Sequence, residues 1–592
     1  MCGIYGIVHP GTKADDLRHM GQVANQLQAH RGPDNTGTRA TNGWLLAHRR
    51  LSIYDVSESG HQPFNYADRL TIVFNGAIYN FPELREELRA LGYAFQSTTD
   101  TEVILAAWLA WGPDCFPRFN GMWALAIIDL QEQKLILSRD RIGIKPLYLH
   151  QDSGLLAFAS EPRALRETVA KGNGLNLEVA QDYLLHGWQD HRPESIWAEI
   201  NQFPAGNYAV CPLNAPDKLT YHSYYQLPTA NFPGPTTSLQ EEFKELLTDA
   251  VRLRTRSDVG CGLTLSGGID SSSIAAVMGP DHRSYSALFP DTPYDESTYV
   301  KAVVRETAMS NHPLLPTWDD FLRGYEACAL GQDQPLASAA VVIHYRLMQL
   351  VQSMGEKVIL NGQGADEIGA GYDKFYGPYL REMRHQGFFA GIKATWQVAK
   401  NYRMAPDKLS TRLQRRFGFL APERFLAPAF SAKETFLRSP DSDVLTTSIN
   451  LLTQVGLPVL LRHEDRSAMA CGIESRPPFL DFRIVDFLLS SPTEFKLRNG
   501  VRKAGIRESL RDLLPHEVYT RKRKLGFATP QQRWLEEHSD FFLEEIRAYL
   551  HRPDTLLRAS CYPFAKRVLE HRQTRHYPLV WRWWSWAVFC RG

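Results

Sequence analysis

The sequence predicts a mixed α/β and α+β chain in two large parts, the second built on a doubly wound parallel sheet. Two observations carry the second part. Val259 to Leu265 is an apolar run of strand length, followed by Ser266-Gly267-Gly268-Ile269-Asp270-Ser271-Ser272 and a stretch to Met278 that continues as a helix. Val358-Ile359-Leu360 repeats the arrangement and ends in Asn361-Gly362-Gln363-Gly364-Ala365-Asp366-Glu367. Strands alternating with helices argue for a parallel sheet. The third observation is length, since 592 residues exceed one ordinary domain.

Composition narrows the function classes. The 66 basic and 65 acidic residues leave a net charge of +1, which argues against nucleic acid or an acidic membrane as the main partner. No run of about 18 apolar residues is present, so no membrane span is expected. Met1-Cys2-Gly3-Ile4-Tyr5-Gly6 lacks the basic region and apolar core of a signal segment. The eight cysteines are scattered, with no Cys-x-x-Cys pair and no zinc spacing. A reduced, cytoplasmic protein without structural metal is the expectation.

Along the first part, Cys2 follows the initiator methionine. Once Met1 is removed, Cys2 carries both a thiol and an α-amino group, whose pKa is about 8. One residue then supplies nucleophile and base. Leu17 to Gln28 is amphipathic and leads to His30-Arg31-Gly32-Pro33-Asp34. Ala47-His48-Arg49-Arg50-Leu51-Ser52-Ile53 follows, and Ile72 to Asn80 reads as a strand ending in a turn. Pro82 and the spacing of Leu84, Leu88 and Leu91 mark a helix that stops at Gly92. Asp100-Thr101-Glu102 opens the next helix, and Asn120 to Ala124, Arg139 to Tyr148 and Ala159-Ser160-Glu161 complete the set.

In this order these motifs resemble the glutaminase domain of the class II glutamine amidotransferases. The resemblance implies the N-terminal-nucleophile (Ntn-hydrolase) fold, a four-layer αββα sandwich, over residues 2–211. It implies that Cys2 attacks the side-chain amide of glutamine. Asn75 and the Gly76 N–H take the oxyanion-hole role, for which fixed donors are needed. Arg50 takes the clamp on the glutamine α-carboxylate, and Asp100 the anchor for the α-ammonium. Asparagine synthetases usually have Asn-Gly-Glu-Ile-Tyr-Asn where this chain has Ala77, while glucosamine-phosphate synthases have an apolar residue there. Weaker or less selective glutamine binding is the expectation.

Residues 212–238 are rich in Pro, Thr, Asn and Gly and read as a linker. Residues 239–592 form the second expected domain, opening with an amphipathic helix to Leu253. Ser284 to Phe289 is a further strand, with a helix running from Asp295-Glu296 toward Glu306. The loops after Leu265, Phe289 and Leu360 are expected on one sheet edge, where ligands bind. Gly267 and Gly268 let the backbone approach a phosphate, and the N–H groups of the first helical turn favour negative charge. No Gly-Lys-Ser/Thr follows, so this is not a Walker loop.

The loop resembles that of the ATP pyrophosphatases, and the block Asn361 to Glu367 resembles a motif of the asparagine synthetases. The implied fold is adenine nucleotide α hydrolase-like, with a helical C-terminal part. The implied nucleotide contacts are Leu265, Ser266, Gly267, Gly268, Asp270, Ser271, Ser272, Leu288, Asn361 and Gly362, with Mg2+ on Asp270 and Asp366. Gln363 faces the acceptor or nucleotide and, as a neutral amide, cannot act as a base. Leu460 to Ala470, Ile473 to Asp481, Gly500 to Lys503 and Arg521 to Pro530 also resemble the synthetases. Lys503 matches the lysine that neutralises pyrophosphate and the adenylate as they separate. The arginines of 412–416 read as a solvated helical face. Trp581, Trp583, Trp584 and Trp586 cannot share one helical face and read as core.

The resemblance covers nearly the whole chain and implies a glutamine-hydrolysing asparagine synthetase. Ammonia from glutamine would pass through an apolar tunnel to an acyl-adenylate made from ATP and a carboxylate acceptor, with aspartate favoured. Sugar acids, peptide ends and natural-product intermediates are alternative acceptors. Asn75 to Arg85 also resembles enzymes that amidate a short osmolyte dipeptide. The resemblance further implies a homodimer. The contrary reading is a non-catalytic binding protein that kept the fold, and the retention of Cys2, Asn75, Asp270, Asp366 and Lys503 argues against it.

Overall fold

The computed structural model describes residues 2–591 apart from 171, 173, 230–235, 402–424, 428–441 and 523–525. The arginine run 412–416, part of the expected linker and Arg523-Lys524-Leu525 lie outside the described residues.

The first half contains the strands β1 (Gly3–Val8), β2 (Asn35–Thr41), β3 (Trp44–Arg50), β4 (Phe64–Tyr66), β5 (Leu70–Ile78), β6 (Gly121–Asp129), β7 (Lys134–Arg139), β8 (Tyr148–Asp152), β9 (Leu155–Ala159), β10 (Ile200–Gln202), β11 (Asn207–Pro212) and β12 (Thr220–Ser223). They pair into two six-stranded sheets, ordered β10-β8-β9-β1-β3-β2 and β12-β11-β7-β6-β5-β4. Every pairing is antiparallel. The helices α1 (Ala14–Leu27), α2 (Phe81–Ala90), α3 (Asp100–Trp111) and α4 (Pro162–Thr168) cover them.

Side-chain alternation builds the layers. On β1, Ile4 and Val8 meet Val73, Ala124 and Ala126 of the facing sheet. Tyr5 and Ile7 point the other way, onto Leu17, Ala24 and Leu165 of α1 and α4. On β5 and β6, Ile72, Phe74, Leu125 and Ile127 pack against Leu84, Leu88 and Val103 of α2 and α3. The result is the expected αββα sandwich. Strand β12 falls within the stretch that reads as a linker. Residues 220–223 are exposed, but their backbone pairs with β11 and extends the sheet, an ordering that hydrophobic periodicity does not show.

The second half carries β13 (Cys261–Thr264), β14 (Arg283–Ala287), β15 (Ser310–Leu314), β16 (Val358–Leu360) and β17 (Glu474–Arg476). Their order is β15-β14-β13-β16-β17, all parallel. The order reverses at β13, so the carboxyl ends of β13 and β16 flank the crevice where ligands bind in such sheets. The helix Tyr577–Arg591 is buried along most of its length, and its four tryptophans lie in one large core cluster. Among the described residues, no single helix is long and apolar enough to cross a membrane.

The two halves share one apolar cluster. Leu51, Ile53, Ala77, Met122 and Ile144 of the first join Leu247, Leu263, Leu360, Leu461 and Phe479 of the second. Buried charge crosses the same junction. Arg31 donates to Asp465 at 2.8 and 3.2 Å, to Glu161 at 2.9 Å and to the Cys2 carbonyl at 3.1 Å. Breaking a buried pair by removing one partner is costly, because the charge left behind has no water. Arg31→Ala is therefore expected to destabilise the chain by about 3–5 kcal/mol, read as a lowered midpoint of urea unfolding.

Candidate active sites

The first site gathers at the start of β1. Cys2 is buried, and its backbone N–H donates to Asn75 Oδ1 at 3.0 Å. That bond orients the Asn75 amide on β5. Among the described residues, the buried Asn75 Nδ2 has no hydrogen-bond partner. A donor so placed beside a thiol can receive a developing negative charge. Gly76 follows, and a side chain there would collide with the Met122 carbonyl of β6. Burial pushes the Cys2 thiol above its usual value. The neighbouring Arg50 charge and a hydrogen bond from the Leu51 backbone work the other way.

Arg50 ends β3. Its guanidinium donates to the carbonyls of Ser57 at 2.7 Å, Tyr54 at 3.4 Å and Asp55. A side chain at Gly60 would run into this guanidinium, so the loop can wrap it only with glycine there. Asp100 opens α3 behind Thr99, whose side chain caps the helix by accepting from the Glu102 N–H. Asp100 Oδ2 accepts from the Ile78 N–H at 2.9 Å. Burial pushes its carboxyl up to about 7. Cys2, Arg50, Gly76 and Asp100 thus line one pocket, joined by Gln62, Thr101 and Glu474.

Glu474 arrives from β17 of the other half, and sequence reasoning gave it no role. Burial works against its charge, but the Arg476 guanidinium and the other positive charges around it, Lys145 among them, together outweigh burial and hold it down to about 2. Ala77 does not line the pocket; it is buried in the shared apolar cluster. A second carboxylate besides Asp100 is therefore present, supplied by the opposite domain rather than by position 77.

The second site is a cleft of about 450 Å3 at the carboxyl ends of β13 and β16. Leu265, Ser266, Gly268, Asp270, Ser271, Asn361, Gly362, Gln363, Asp366 and Lys503 line it. Gly267, Ser272 and Leu288 stand behind that lining. Gly267 has a φ of 66°, as the turn demands, and its carbonyl accepts from Arg521 at 3.2 Å. Ser272 and Leu288 are buried. A Cβ at Gly362 would lie 2.8 Å from the Asp270 Cβ, so glycine lets the two loops close on each other.

Lys503 Nζ bridges the two acidic loops, 2.6 Å from Asp270 Oδ1 and 2.7 Å from Asp366 Oδ1. Burial lowers its pKa, and Asp270 opposes the shift. Among the described residues, no group of three or more His, Cys, Asp and Glu side chains is arranged to hold a metal. Mg2+ needs fewer, since it commonly takes one or two carboxylates together with phosphates and water. Asp270 and Asp366 converge on one point and are hard oxygen donors, so they fit that ion. Glycine at 371 keeps the space beside Asp366 clear.

Further polar groups reach this cleft. Glu464 Oε1 accepts from Asn361 Nδ2 at 3.1 Å and from Ser475 Oγ at 2.7 Å, and Glu464 Oε2 lies 3.2 Å from His344 Nε2. Arg521 pairs with Glu296 at 2.6 Å. Glu464 and Arg521 stand in motifs that the sequence marks, but nothing local assigns them a contact. His344 sits in the run Val341-Val342-Ile343-His344, whose apolar character reads as core.

Comparison with known proteins assigns a family to each half. Residues 1–225 match the model of a glutamine amidotransferase domain, and residues 242–582 that of asparagine synthase. The chain is 30% identical over 595 residues to asparagine synthetase (glutamine-hydrolyzing) 1 of Bacillus subtilis, covering 93% of this chain and 92% of that one. It is 31% identical over 468 residues to putative asparagine synthetase (glutamine-hydrolyzing) 2 of Methanocaldococcus jannaschii, covering 74% and 88%. Asparagine synthetase B (glutamine-hydrolyzing) of Escherichia coli is 28% identical over 415 residues, covering 65% and 67%.

Proposed function

The chain belongs to the asparagine synthase family, and on that premise we propose that it is an ATP-dependent, glutamine-hydrolysing ligase converting aspartate to asparagine. The observation that carries the reading is the pair of sites on either side of one packed interface, with a nucleophile in one and an acid–lysine cluster in the other. The acceptor rests on the names of the relatives, and the residue roles on the geometry.

Glutamine binds with its carboxylate on Arg50 and its ammonium on Asp100. Cys2 Sγ adds to the side-chain amide carbon, and the oxyanion is met by Asn75 Nδ2 and the Gly76 N–H. Ammonia leaves a thioester, which water hydrolyses to glutamate. In the cleft, an aspartate carboxylate oxygen attacks the α-phosphorus of ATP and pyrophosphate departs. Lys503 stands where that charge separates. Asp270 and Asp366 would hold Mg2+, which would supply charge neutralisation to the phosphates. Ammonia then displaces AMP from the acyl-adenylate. Ammonia would cross between the sites alongside the shared apolar cluster, which would keep it from water. A homodimer and a cytoplasmic location belong to the same proposal, as do the two domains, the first reaching through β12 at Ser223.

Transfer of the amide nitrogen tests the reading. With amide-15N-glutamine, aspartate, ATP and Mg2+, the label is expected in asparagine, in step with AMP. Label found only in free ammonium would overturn the transfer.

Two further outcomes follow from the glutamine pocket. Asp100 carries its charge above about pH 7, so the KM for glutamine is expected to rise as pH falls below that value. Because the folded pKa lies above the ordinary carboxylate value, stability is lost as pH rises from about 4 to about 7, and an ammonium bound to the ionised carboxylate returns it. Glutamine should therefore raise the melting temperature more at pH 8 than at pH 6. Ala77→Glu is expected not to lower the KM for glutamine. The new carboxylate enters an apolar cluster, and the pocket already holds Glu474. A lowered KM would show that position 77 faces the substrate.

A further inference from the structure

The synthetase step proposed above requires a proton acceptor. Ammonia that bonds to an acyl carbon becomes positively charged and must lose a proton before the amide forms. Most titratable groups of the cleft are committed elsewhere. Lys503 stands between Asp270 and Asp366. Glu296 pairs with Arg521, and the Tyr372 hydroxyl donates to Glu367 at 2.6 Å. His463 Nε2 lies 3.3 Å from Arg462 Nη2, and burial holds that imidazole neutral, far below its usual value. Gln363 is an amide and takes up no proton.

His344 differs from these. It projects from the helix Ala339–Ser353 into the cleft, with Nε2 3.2 Å from Glu464 Oε2 and the Phe527 ring set edge-on at 6.1 Å. Glu464 is itself fixed by Ser475, Asn361 and Gln363. A carboxylate held on several sides and facing Nε2 sets the tautomer, with the proton on Nε2 and Nδ1 left to accept. This is the base-and-orienter arrangement used in general base catalysis.

We propose that His344 is the base for amide formation and that Glu464 is its positioning residue. The nitrogen lone pair forms the C–N bond, and the bond from the acyl carbon to the AMP oxygen breaks with its electron pair going to AMP. One N–H proton passes to His344 Nδ1, and the amide keeps the other two hydrogens. The imidazolium so formed stands against the Glu464 carboxylate. Burial opposes protonation of His344, but the Glu464 carboxylate outweighs it and raises the ring above its usual value.

The test uses the full chain with ammonium chloride as nitrogen donor, aspartate, ATP and Mg2+. In His344→Asn, amide formation is expected to fall about 100-fold while aspartate-dependent exchange of pyrophosphate into ATP persists within about twofold. Hydroxylamine, a weaker base whose adduct gives up its proton more readily, should recover most of the rate. Glu464→Gln should show the same split, smaller in size. Exchange and amide formation falling together would overturn the proposal, as would an undiminished amide rate. An unaltered chain that shows no exchange with aspartate would instead overturn the acceptor reading, and this inference with it.

Discussion

Cys2→Ala is expected to abolish glutamine-dependent amide formation, by more than about 10^4-fold, as loss of a covalent nucleophile does elsewhere. Synthesis driven by ammonium chloride should continue, because Asp270, Asp366 and Lys503 lie in a separate cleft. Alanine is smaller than cysteine and apolar, so the buried start of β1 keeps its pairing with β3 and β9. Asparagine measured with each nitrogen source separates the two outcomes. Full glutamine-dependent activity in this variant would overturn the nucleophile assignment. Loss with both nitrogen sources would mean that the site at β1 supports the whole fold.

Lys503→Met should lower formation of AMP and asparagine about 10^3-fold, the scale on which a donor aimed at developing charge acts. The methionine stem keeps the volume but removes the positive charge that bridges Asp270 and Asp366. Those carboxylates, each within 2.7 Å of the lysine nitrogen, then face each other without it, so they should hold Mg2+ more tightly and the Mg2+ concentration needed to reach the residual rate should fall. Glutamine hydrolysis should continue, so glutamate accumulates without AMP. An AMP rate near that of the unaltered chain would show that Lys503 only ties the two loops together.

Much of this arrangement was legible because its chemistry sits at turns. Gly267, Gly362 and the start of the helix Ile269–Met278 mark the cleft in a way that local sequence reports. Cys2 and Asp100 stand at the starts of elements, and Asn75 lies within one, whose apolar character is clear. Other parts had no local signature. Strand β17 is Glu474-Ser475-Arg476, three polar residues buried by pairing with β16 and by one another's charge. Strand β15 is Ser-Asn-His-Pro-Leu, an edge strand that tolerates Pro313. Glu474 in the glutamine pocket and Glu464 beside His344 are long-range juxtapositions, created only when the two halves and their helices pack. Position 77 shows the same limit. Its alanine reads as a missing ligand in the sequence, whereas in the fold it is one wall of an apolar junction.

The most direct test of the central claim is a mass-spectrometric count of products from glutamine, aspartate, ATP and Mg2+. The account predicts asparagine, AMP, pyrophosphate and glutamate rising together, with one AMP for each asparagine. Glutamate appearing without AMP or asparagine would contradict aspartate as the acceptor and leave a working glutaminase coupled to a different carboxylate.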